Sequence, residues 1–139
     1  MSEEITNSNT WAEEGNGSIV QVPETVANLA QLSSNLSEIS GKIMDSVTSW
    51  KEMDLQMHQM DIQFGLFLTK VDYELSKYRD RIPVVEKQLD FVNSQMSKML
   101  DHVLVMDAKT EKEIDLKMRL LESTENYLDK LSGMMLKLL

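Results

Sequence analysis

The chain has 139 residues, 42% of them hydrophobic and 27% charged, with a formal net charge of −9. That acidity excludes a nucleic-acid binder built on a basic face. Five Gly and two Pro are too few to punctuate an all-β sandwich, and the lack of any Cys excludes a disulfide scaffold or a thiolate metal or redox centre.

Residues 1–22 carry four Glu, three Asn and two Gly, with no Lys, no Arg and no helical period. This composition predicts a disordered acidic tail. It is the reverse of a signal peptide, which starts basic and continues apolar. No run approaches the ~18 consecutive apolar residues of a membrane span, so a cytoplasmic protein without a membrane span is expected. Trp11 stands in this tail with no periodicity to explain it. Followed by Ile19, Val20 and Val22, it is a candidate docking motif.

Pro23 and Glu24 then form a helix-start signature. Stepping by seven from Val22 through Leu29, Leu36, Ile43, Trp50, Met57, Phe64, Val71, Tyr78, Val85, Val92 and Met99 to Met106 meets an apolar residue every time. A sustained repeat of this kind predicts helix-on-helix packing of the coiled-coil type. Pro83 breaks the pattern midway, because proline lacks a backbone donor and disfavours helix at the preceding residue. The expected architecture is therefore all-α, a long antiparallel helical hairpin. Its first helix runs over 23–79, a turn capped by Asp80 spans 80–83, and its second helix runs over 83–139. Beyond Met106 the apolar phase slips by one, across a polar stretch at 107–110. Asp107 or Thr110 is a candidate N-cap there, so a three-helix arrangement with a second break near residue 108 is the alternative.

In the first half of the chain a third apolar row appears, formed by Leu32, Ile39, Met53, Met60 and Phe67. A two-helix hairpin covers two rows and leaves this one exposed. The third row, with Met134, Met135 and Leu138 of the apolar C-terminus, is therefore the expected interface with a second copy, a dimer being favoured, or with another helical protein. Several such hairpins would assemble into a multi-helix bundle. The methionines at 53, 57, 60, 96, 99 and 106 read as core filling, with a deformable binding face as the alternative.

Asp54, His58 and Asp61 share one helical face, and the hairpin register brings His102 to Asp61 and Lys109 to Asp54. Neither His has Glu three residues before it, so this is not the Glu-x-x-His pattern of metal-binding bundles. Asp54, Asp61, His102 and Lys109 are expected instead to form a polar seam that sets register. No cofactor or metal is expected. The chain also lacks a phosphate-cradling Gly-rich loop and any His-Glu-x-x-His motif. The expected function is non-enzymatic: a coiled-coil scaffold, adaptor or assembly factor. A chaperone-like module that masks a client helix with its Met-rich face is one alternative, and a metal-dependent enzyme of helical-bundle type is another.

Overall fold

The computed structural model describes residues 22–45, 48–77 and 79–138. Trp11 and the rest of the expected tail up to residue 21 lie outside the described residues, as does Tyr78. The described chain is all-α, with helices α1 (Val22–Met44), α2 (Trp50–Lys77), α3 (Ile82–Leu104) and α4 (Glu111–Leu136). A 3-10 turn at Arg79–Arg81 leads into α3.

Each expected arm is thus two helices. The second arm breaks where the alternative reading places it. Thr110 is the N-cap of α4 and accepts from the Glu113 amide at 3.1 Å, while the Glu113 carboxylate accepts from the Thr110 amide at 3.4 Å. This reciprocal capping box satisfies donors that a new helix start leaves orphaned. Lys117 donates to the carbonyls of Leu104 and Met106 at 3.4 and 2.7 Å, which covers the exposed end of α3.

The first arm breaks as well, between Met44 and Trp50, where the sequence reading carries one helix through. The cause is a second capping box. Ser49 accepts from the Glu52 amide and the Glu52 carboxylate accepts from the Ser49 amide, both at 3.2 Å. Thr48 ties the end of α1 by donating to the Lys42 carbonyl at 2.6 Å. Ser and Thr hydroxyls compete for backbone groups in this way, and two of them side by side favour a helix end. The turn before α3 is also corrected in detail. Arg81, not Asp80, is the N-cap, it has no side-chain cap bond, and Pro83 lies within the first two helical positions, where its missing donor costs nothing.

With four helices the described chain folds back three times. Short connections make α1 antiparallel to α2 and α3 antiparallel to α4. The α2–α4 contacts Asp54–Arg119, Asp61–Tyr127 and Asp72–Lys137 are separated by 65, 66 and 65 positions. A constant offset of this kind requires α2 and α4 to run parallel and in register. Helix α1 packs on α2 and α3, and α4 packs on α3 and more lightly on α2. The direct α2–α3 zipper of a simple hairpin is therefore replaced by a four-helix bundle in which α1 and α4 hold the middle helices together.

The core follows from this arrangement. Buried positions on α2 are Met53, Met57, Met60, Phe64, Phe67, Val71 and Glu74, and on α3 they are Val85, Leu89, Val92, Met96, Met99 and Val103. Both sets step by four and three, the spacing that keeps one helical face on a neighbour. Leu29, Leu36, Ile39 and Ile43 contribute from α1, and Leu116, Leu120, Tyr127 and Leu131 from α4. Buried Ser33 and Ser40 lie on α1. Each satisfies its hydroxyl within its own helix, Ser33 on the Leu29 carbonyl at 3.1 Å and Ser40 on that of Ser37 at 2.9 Å. Ser37 reaches across to Gln95 of α3 at 3.4 Å, so small side chains mark the α1–α3 contact.

Candidate helix-docking surface

The third apolar row is covered within the chain. Ile39, Met53, Met60 and Phe67 are buried, and Leu32, Met134, Met135 and Leu138 are half-buried against the same core. The sequence reading leaves this row open because it assigns two helices to the body; the structure supplies four, and four helices cover wider apolar faces. The buried methionines on α2 and α3 belong to the core too, so they present no deformable outer face.

The expected polar seam is redistributed. Asp54 pairs with Arg119 at 3.4 Å, not with Lys109, and Arg119 also holds Asp115 at 3.3 Å. Lys109 sits in the α3–α4 connection beside Asp107 at 3.7 Å, and its amide donates to Glu113. Asp61 accepts from the Tyr127 hydroxyl rather than meeting His102, which is half-buried near the end of α3. The tyrosine ring lies 4.4 Å, centroid to centroid, from that of Phe64. Burial, and then the bond to Asp61, push the Tyr127 phenol well above its usual range. Among the described residues, no group of three or more His, Asp or Glu is placed to hold a metal ion, and no helix is long and apolar enough to cross a membrane.

Helix α2 carries a second apolar face that sequence periodicity alone did not single out. Opposite the buried set lie Leu55, Gln59, Ile62, Leu66, Thr69 and Tyr73, again spaced by four and three. Leu55, Ile62 and Leu66 are 55%, 51% and 49% exposed, values high enough to make them surface residues despite their size. The row runs about 27 Å at ~1.5 Å per residue. On one flank it opens into a shallow groove against α1, lined by Asn35, Glu38 and Lys42 with Gln59 and Ile62; Asn35 donates to Gln63 at 3.1 Å beneath it. On the other flank stand the Asp54–Arg119 and Asp72–Lys137 pairs, which rim the apolar row with charge. At the far end Lys70 lies 5.4 Å from the centroid of the Tyr73 ring.

Gly65 lies on the flank of α2 that carries Asp54, His58, Asp61 and Asp72. A mid-helix glycine costs roughly 0.5–1 kcal/mol relative to alanine. An added Cβ here meets nothing within 4 Å among the described residues, so their packing does not call for glycine. The signal that finds this face is the double periodicity of α2, legible only once it is known which face is taken by the bundle.

The other unusual group is Glu74, fully buried, with neither carboxylate oxygen hydrogen-bonded. Burial raises its pKa, and Lys70 and Arg81 pull in the opposite direction. Comparison with protein-family models, curated proteins and solved structures finds no match to this chain.

Proposed function

We propose that the chain is a helix-association module, a scaffold, adaptor or assembly factor whose work is to hold another helix against the outward face of α2. The observation that supports this reading is that α2 is apolar on two opposite faces while the bundle uses only one. Helix-in-groove recognition places apolar anchors at this kind of spacing and surrounds them with polar residues. Asn35, Glu38 and Lys42 supply such a rim on one side and the ion pairs to α4 supply it on the other.

The test is photo-crosslinking in the native host with p-benzoylphenylalanine at position 62. An adduct that disappears when Leu66 is changed to Glu is the expected result. A chain that gives no adduct from position 62, while remaining folded and expressed, overturns the reading.

A further inference from the structure

We infer that the helix received by this face is α2 of a second copy of the chain, lying antiparallel across a two-fold axis at residue 64. The inference rests on the docking role proposed for this face and names its occupant. It comes from the order of residues along this row, in which Tyr73 is half-buried and the others are exposed. Leu55, Gln59, Ile62, Leu66, Thr69 and Tyr73 read apolar, polar, apolar, apolar, polar, apolar, and their spacing of four, three, four, three, four is the same in either direction. The row is its own mirror about residue 64. Turning a second copy through 180° sets Ile62 opposite Leu66, Gln59 opposite Thr69, and Leu55 opposite Tyr73, each pair occurring twice. Apolar meets apolar and polar meets polar at every level. That is the self-complementarity an isologous interface requires.

At the ends, Glu52 in the first turn of α2 falls level with Ser76 of the second copy and within one position of Lys77, while Lys51 falls level with Lys77; Glu52 thus lies between two exposed lysines, and symmetry repeats the arrangement. A parallel pairing would set Glu52 against Glu52 and Lys77 against Lys77. The row is six residues long with its large side chains about half exposed, so it buries less than the ~1,200–2,000 Å² of stable specific interfaces, which suits a weak, reversible dimer.

Sedimentation equilibrium of the full chain tests the pairing. The mass should rise from 16.0 kDa toward twice that value between ~5 and ~500 µM. Ile62→Glu and Leu66→Glu should each hold it at the monomer value while leaving helical circular dichroism unchanged, since both side chains are half exposed. The chain has no Cys, so orientation is read from an oxidised equimolar mixture of Leu55→Cys and Tyr73→Cys. Antiparallel pairing gives mainly the 55–73 heterodisulfide; a predominance of 55–55 and 73–73 products overturns the register. A wild-type chain that stays monomeric throughout overturns the dimer. If position 62 then crosslinks only to a different protein in the host, the second copy is excluded and the docking role stands. If it crosslinks to nothing, both fall.

Discussion

Tyr127 of α4 donates its hydroxyl to Asp61 of α2 across 66 positions of sequence, while its ring stacks at a tilt on Phe64, one turn along from Asp61. One side chain thus fills the core and sets the register of two parallel helices that no short connection links.

Tyr127→Phe keeps the ring and removes the donor. Asp61 is exposed and regains water, so the cost should be about 0.5–1.5 kcal/mol in urea denaturation. Tyr127→Ala, which also empties the core position, should cost about 3–5 kcal/mol, the range for large aromatic truncations. Equal losses for the two variants would mean that the ring contributes nothing.

The same tyrosine predicts an alkaline limit. Its folded pKa lies above the ordinary 10.0, so the folded state keeps the proton longer than the unfolded one. The stability from this site is complete below about pH 10 and is lost as pH rises from there toward the folded pKa. Denaturation midpoints measured from pH 8 to 11 should fall more steeply for the wild type than for Tyr127→Phe.

Glu74 predicts the opposite end of the scale. Its folded pKa lies above 4.5, so the folded state binds the proton more readily, and the contribution of this site grows as pH drops toward 4.5. At pH 7 an ionised, unbonded carboxylate in the core is a liability. Glu74→Gln, which removes the charge that burial disfavours, should therefore raise stability at pH 7. The advantage should shrink near pH 4.5. A variant less stable than wild type at pH 7 would show that attraction to Lys70 and Arg81 outweighs burial.

The two capping boxes should act independently. Ser49→Ala and Thr110→Ala each remove an acceptor for a helix-start amide and should each cost about 0.5–2 kcal/mol. They start different helices and share no hydrogen-bond partner, so the double variant should lose close to the sum. Native-state hydrogen exchange should show the loss first at the starts of α2 and α4.

Substitutions on the two apolar faces of α2 should separate cleanly. Phe67→Ala should cost about 3–5 kcal/mol and Met60→Ala about 2–5, because both side chains are buried in the core. Leu55→Ala, on the outward face, should change monomer stability by no more than about 0.5 kcal/mol at low concentration. A large loss at Leu55 would place that residue in the fold rather than on a docking face.

Much of this fold is determined by the sequence alone. The seven-residue apolar repeat, few turn-formers and two prolines require helices that pack on one another, and Leu29, Leu36, Phe64, Val71, Val85 and Val92 reach the core as that repeat implies. Thr110, one of two cap candidates of the alternative reading, starts α4 together with Glu113, because a capping box is a local interaction that needs no distant partner. The matching Ser49–Glu52 box is equally local, yet it stands inside an unbroken apolar repeat, and periodicity masks it. Tertiary structure decided the rest. Whether Phe67 and Met60 face a partner or the chain's own core depends on how many helices surround α2, and no residue on α2 carries that number. Asp61 accepts from Tyr127 rather than meeting His102 because each arm folds back on itself, which sets α4 rather than α3 beside the Asp54, Asp61 and Asp72 side of α2. The exposed row at Leu55, Ile62 and Leu66 follows from the same choice: a helix with two apolar faces buries one, and only packing selects which.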